Sequence, residues 1–135
     1  MKPETDPIGK AILEYLEGSN VPDIQVESTI TENETIPVNY LFRDYSLMPE
    51  KEQFALSLAQ GRILDVGAGS GAHALALQKL NKKVVALDWS EDCCKAMVKQ
   101  GIERVVREDF FQFEDSEKFD TILLMMNNLS SLSCP

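Results

Sequence analysis

Apolar positions first recur at helical spacing at Ile8, Ala11, Ile12, Tyr15 and Leu16, behind Asp6-Pro7 and ahead of Gly18. An acidic cap, a proline in the first helical position and a glycine stop predict a short amphipathic helix. Between Asp23 and Ile36 the pattern changes to alternation: Ile24, Val26 and Ser28-Thr29-Ile30 precede the acidic break Thr31-Glu32-Asn33-Glu34. Two short strands or an extended arm both satisfy it. The next stretch, residues 37–45, gathers Tyr40, Leu41, Phe42 and Tyr45 around Arg43, the one arginine of the first sixty residues. It reads either as cover for the edge of a core or as a lid whose Tyr40, Arg43 or Tyr45 closes over a ligand. Pro49 then predicts a helix over 50–59, with Gly61 as its C-terminal cap.

From Gly61 the apolar runs shorten and separate. A strand over 63–66 leads to a helix at 70–80, and Lys83-Val84-Val85-Ala86-Leu87-Asp88 predicts a second strand. Ser90 caps a helix through Cys93, Met97 and Val98 that Gly101 ends. A short strand over 104–107 and a strongly apolar one over 119–126 follow. Strands alternating with helices predict an α/β fold: a Rossmann-like, doubly wound parallel sheet with helices on both faces, carrying an N-terminal helical and extended cap. Residues 1–60 are the cap or lid segment and 61–135 the sheet domain.

Composition narrows the partners. The chain has 135 residues, 44% hydrophobic, which suits one core better than two. Its net charge of −9 is uneven: residues 1–60 hold 4 basic against 11 acidic side chains (−7), residues 61–135 hold 9 against 11 (−2). Such a surface repels phosphate backbones and anionic lipid, so neither nucleic acid nor a membrane is the expected partner. Three cysteines, with Cys93 and Cys94 adjacent, supply neither a paired disulfide framework nor a metal-binding spacing. No metal site is expected. The N-terminus lacks the basic and apolar regions of a signal peptide, and no apolar run approaches a membrane span, so a cytoplasmic setting is expected.

The chemistry centres on Ile63-Leu64-Asp65-Val66-Gly67-Ala68-Gly69-Ser70-Gly71. Strand, glycine turn and helix in succession allow a close backbone approach to a ligand. Three acids stand where successive strands end: Asp65, Asp88 and Asp109. In an open parallel sheet those ends face one crevice, which is where ligands bind. Asp88 lies 21 residues after Gly67, close to the spacing of about 20 for an acid that holds a ribose hydroxyl.

Four segments in order resemble the motif set of class I S-adenosylmethionine-dependent methyltransferases. They are Leu64-Asp65-Val66-Gly67-Ala68-Gly69-Ser70-Gly71, Leu87-Asp88-Trp89-Ser90, Glu108-Asp109-Phe110 and Phe119-Asp120-Thr121-Ile122-Leu123-Leu124. The resemblance covers residues 61–128, about half the chain. It implies that S-adenosylmethionine is the cofactor and that Asp65, Gly67, Ala68, Gly69 and Gly71 surround it, with Asp65, Gly67 and Gly69 at its methionine end. It further implies that Asp88 holds the ribose hydroxyls, Trp89 packs on the adenine, Asp109 and Phe110 meet the adenine edge, and Asn127 lies near the transferred methyl. A nicotinamide dinucleotide is the rival, because Gly67, Gly69 and Ala72 also fit a relaxed G-x-G-x-x-A pattern. Asp65 immediately ahead of the glycines disfavours a pyrophosphate there, and Asp109 suits an uncharged adenine.

No catalytic residue is assigned. His73 opens the helix after the glycines, with no second base visible beside it in the sequence, so a surface or cofactor-proximal place is expected. Cys93 and Cys94 are expected as one packed and one exposed thiol, with redox sensing as the alternative. Asn127-Asn128 does not form the Asn-Pro-Pro-aromatic pattern of methyltransferases that act on nucleic-acid amino groups, which points to a small-molecule acceptor. Pro135 stands nine residues beyond Met126, where the family's sheet continues with further strands. A truncated form is therefore expected, with two readings: a methyltransferase, or a cofactor-binding or assembly module without turnover. An exposed fourth strand of Ile122, Leu123, Leu124 and Met125 would be an edge for homo-oligomer pairing.

Overall fold

A computed structural model describes residues 6–19, 24–26, 34–36, 38–114 and 118–124. Asp6 opens α1 (Pro7–Leu16) by accepting the Gly9 amide at 3.0 Å, and the chain leaves the helix through Gly18 at φ +93°. The alternating segment resolves into two short strands, β1 (Ile24–Val26) and β2 (Glu34–Ile36), paired antiparallel. Two 3-10 turns follow, Val38–Phe42 and Tyr45–Leu47, and then α2 (Glu50–Leu58) behind Pro49.

The main sheet comprises β3 (Arg62–Val66), β4 (Lys83–Asp88), β5 (Val105–Arg107) and β6 (Thr121–Leu123) in the order β5-β4-β3-β6. Every neighbouring pair is parallel. Helices α3 (Ala72–Lys79) and α4 (Glu91–Lys99) join the first three strands. The chain runs outward from β3 to β5 and returns to the other side of β3 for β6. Strand order therefore reverses at β3, the strand that ends in the glycine turn, which is where an open α/β sheet forms its ligand crevice.

Side chains alternate across a strand. Ile63, Val84 and Ala86 meet Leu56 of α2, Ala74 and Leu77 of α3 and Met97 of α4 on one face. Leu64, Val66, Val85 and Leu87 fill the other, where Val106, Phe113 and Phe119 pack against them. Helices were expected on both faces. Among the described residues that second face is closed by the aromatic pair from the connection before β6 and not by a helix. A smaller core of Ile12, Val38, Leu41, Cys93 and Ala96 seats α1 and the first 3-10 turn on α4.

One predicted cap is different. α2 ends at Leu58, and its last carbonyls are taken by the ammonium of Lys82, which donates to Leu56 (3.3 Å), Ser57 (3.1 Å) and Ala59 (2.6 Å). A cation at a helix C-terminus satisfies orphan carbonyls and the dipole together, so no glycine cap is needed. Gly61 instead adopts φ +67° where any Cβ would strike the Asp120 carboxylate, which accepts the Arg62 amide at 2.8 Å. The described chain ends at Leu124, one residue past β6: Leu123 is buried, Ile122 and Leu124 are exposed, and Met125 lies outside the described residues. No described helix is long and apolar enough to cross a membrane.

Candidate functional site

The β3–α3 turn is built on left-handed glycines, with φ +67° at Gly67, +60° at Gly69 and +84° at Gly71. Gly67 and Ala68 both donate to the Leu87 carbonyl, at 2.9 and 3.1 Å, which lashes the turn to the end of β4. Gly71 has a second reason to lack a side chain. A Cβ there would come within 2.5 Å of Ile102 and 2.7 Å of Met97, so the glycine lets α3 and α4 close together.

Asp65 and Asp88 share a sheet face, since Asp65 lies opposite Ala86 and Asp88 follows two residues later. Their surroundings differ. Asp88 is buried, with one carboxylate oxygen accepting the Gly69 amide at 2.8 Å and the other the Ser90 amide at 2.9 Å. Burial raises its pKa, and the Ser90 and Gly69 amides pull it back down. Asp65 is fully buried and neither of its oxygens has a hydrogen-bond partner. Burial, and then the Asp88 charge, push its carboxyl up to about 7. A buried carboxylate without partners costs several kcal/mol in its charged form, so this site is incomplete without a donor or a cation.

The remaining predicted residues are spread around this pair. Trp89 is half-buried on the turn after Asp88, and its carbonyl accepts Arg107 Nε at 3.1 Å. The end of β5 stays close, because the Glu108 amide donates to the Asp88 carbonyl at 3.0 Å. Asp109 itself is exposed and spends one oxygen on the Phe111 amide (3.0 Å), a local turn; Phe110 stacks edgewise on the exposed Phe111. Of the three strand-end acids, Asp65 and Asp88 come together in the buried site, while Asp109 is exposed in its own local turn. Asn127 and Asn128 lie outside the described residues.

The N-terminal segment reaches this site at three points. Asp6, the α1 cap, also accepts the hydroxyl of Ser90, the α4 cap. Leu41 gives its carbonyl to the Ser70 hydroxyl inside the glycine turn. Glu52 of α2 accepts from Arg43 and lies 2.6 Å from His73 Nε2 in the first turn of α3. His73 is thus buried, not at the surface, and has a carboxylate beside it. The 37–45 stretch does cover a core edge, since Val38 and Leu41 are buried, while Tyr40 is exposed under the Arg43 guanidinium, 4.4 Å from its ring. Nothing in the sequence marks Glu52, one of two acids in the first turn of a surface helix.

The two adjacent thiols are both shielded from solvent. Cys93 is buried and Cys94 half-buried; burial first, then Asp88, raises both thiols, Cys94 to about 12. Little thiolate exists at neutral pH, which argues against redox sensing. Among the described residues no three or more His, Cys, Asp or Glu side chains gather to hold a metal ion.

The donor set fits S-adenosylmethionine better than a dinucleotide. A cationic end would satisfy Asp65 and a ribose diol would use the spare lone pairs of Asp88, whereas a pyrophosphate would add negative charge beside two carboxyls already held up by burial. Comparison with known proteins points the same way. The profile of a family described as a methyltransferase domain matches residues 63–135, more than half the chain. A crystal structure of an S-adenosylmethionine-dependent methyltransferase from Bacteroides fragilis, in complex with S-adenosyl-L-homocysteine, shares 40% identity at a TM-score of 0.84; the match covers 94% of this chain and 53% of that one. This chain thus spans about half the length of that relative. Two more distant structures, both with the same product bound, carry no weight on their own. The plantazolicin methyltransferase BpumL is 19% identical, with coverage of 98% and 50% and a TM-score of 0.48. The Pyrococcus abyssi tRNA (uracil-54, C5)-methyltransferase is 17% identical, with coverage of 77% and 28% and a TM-score of 0.45. No curated protein matches the chain.

Proposed function

This chain belongs to the S-adenosylmethionine-dependent methyltransferases, and from that membership we propose that it binds S-adenosylmethionine at the β3 glycine turn and serves methyl transfer to a small molecule. The observation that carries the binding site is Asp65: a carboxylate with no exposure and no partner, beside Asp88 at the switch point of a parallel sheet. When bound, the cofactor supplies a methyl group already activated on a sulfonium, so the protein's part is alignment more than proton transfer. Asp65 balances the cationic methionine end. Gly67, Ala68, Gly69 and Gly71 bring backbone close to it, and Asp88 accepts from the ribose hydroxyls. Trp89 packs on the adenine, and Asp109 and Phe110 meet its edge.

A small acceptor is supported by the net charge of −9, concentrated in the N-terminal segment, which opposes a polyanionic substrate. The weakly acidic free thiols suit the reducing cytoplasm. Copies of the chain would associate along β6, where Ile122 and Leu124 are exposed; a monodisperse monomer in light scattering at rising concentration would count against that. The activity is tested by incubating the protein with a methyl-labelled donor and a small-molecule extract. Label appearing in a low-mass product is the expected result, whereas binding of the donor with no transfer under any extract would leave a binding module in place of an enzyme.

A further inference from the structure

Resting on the reading of the β3 turn as the cofactor site, we propose that residues 38–44 are a lid over it and that Glu52 is the positioning residue that latches the lid shut. Both oxygens of Asp65 are sealed from solvent, although the group they must meet comes from outside. Something over the turn therefore moves when the cofactor enters. The segment seated there is Val38–Phe42 with Arg43, whose Leu41 carbonyl receives the hydroxyl of Ser70, between the second and third glycines.

Its C-terminal flank is anchored to the body of the molecule. At the distal side Tyr45 and Met48 are tied to α2, with Tyr45 Oη donating to the Gln53 carbonyl at 3.2 Å and Gln53 Nε2 donating to the Met48 carbonyl at 2.9 Å. α2 is itself fixed, by fully buried Leu56 and by the Lys82 ammonium on its last carbonyls. The lid is seated by the buried Val38 and Leu41 against α1 and α4, and Arg43 adds its polar tie to Glu52, whose same carboxylate oxygen is also met by His73 in the first turn of α3. One carboxylate thus joins lid, α2 and cofactor turn. The closed arrangement is also incompletely satisfied, because Arg43 Nε is buried without a partner. Water would meet that donor once the lid lifts, so the cost falls on the closed state alone.

The chain's single tryptophan, Trp89, reports binding by fluorescence. In Glu52→Gln, stopped-flow mixing with S-adenosylhomocysteine should show association and dissociation each faster by about tenfold, the equivalent of one charge-assisted hydrogen bond, with Kd changed far less. A residue that merely stabilised the fold would not speed both rates, and a residue that touched the ligand would weaken Kd. Arg43→Met, which keeps the apolar stem and leaves the Glu52–His73 pair in place, should reproduce the effect if the first variant fails to fold. Independently of any ligand, amide hydrogen exchange over residues 39–44 should quicken in either variant while that of β3 and β4 does not change. Unchanged exchange there, or unchanged rates, overturns the latch. Failure of the wild type to bind the product at all would instead overturn the cofactor reading and take the latch with it.

Discussion

Asp65 concentrates the energetics of the site in one carboxyl. Its folded pKa of about 7 lies above the unfolded value near 3.9. The sign follows directly: stability from this group is fully present below pH 4 and is lost as the pH rises through 7, by something on the order of 4 kcal/mol for a shift of about 3 units. The ligand-free protein should accordingly melt lower at pH 8 than at pH 5, and Asp65→Asn should flatten that difference. Stabilisation by S-adenosylhomocysteine should grow over the same range, because its ammonium pairs with the ionised form. Melting curves of both proteins at several pH values check this; identical pH slopes would mean that Asp65 does not titrate as described. Asp88→Ala should weaken binding of the product by about ten- to a hundredfold through its lost hydroxyl contacts. It should also loosen the turn, because the Gly69 amide loses its acceptor. Asp65 and Asp88 were legible in the sequence by their places at strand ends. Glu52 was not, since an acid in the first turn of an exposed helix is ordinary, and only the fold shows that Arg43 and His73 meet on it.

Among the elements, the helix ends show most clearly what local pattern can and cannot supply. Asp6 and Ser90 read as N-caps and are N-caps, because a short acceptor ahead of a helical run acts within three residues of itself. The α2 terminus read as a glycine stop, yet its carbonyls are held by Lys82, more than twenty residues on, a contact that exists only once α3 has turned the chain back. Lys82→Met should therefore cost about 1 to 2 kcal/mol in denaturant unfolding, despite replacing a partly exposed residue. Gly71→Ala should cost about 2 to 4 kcal/mol, from the left-handed backbone and from overpacking against Met97 and Ile102 together. A loss near that of an ordinary surface glycine would show that α3 and α4 can separate freely. The hairpin of β1 and β2 resolved an ambiguity that alternation alone leaves open.

At the scale of the whole molecule, the parallel sheet was readable because β3 and β4 are mostly apolar runs and the crossovers from β3 to β4 and from β4 to β5 are helices. The β5-β4-β3-β6 order then places the glycine turn at the point of reversal. The N-terminal segment was readable only as a layer of unknown seat. Its three ties, Asp6 to Ser90, Leu41 to Ser70 and Glu52 to His73, join residues far apart in sequence whose types are unremarkable alone. Together they tie the cap to α4, to the glycine turn and to the helix that follows it. On the reading proposed for the β3 turn, the cleft there selects a methyl donor with a cationic end over a dinucleotide. Calorimetric titration of the protein with S-adenosylhomocysteine and with NAD, side by side at pH 8, tests it most directly. The expected result is saturable binding of S-adenosylhomocysteine, weakened in Asp88→Ala, with no heat of binding from NAD; saturable binding of NAD and none of S-adenosylhomocysteine would contradict it.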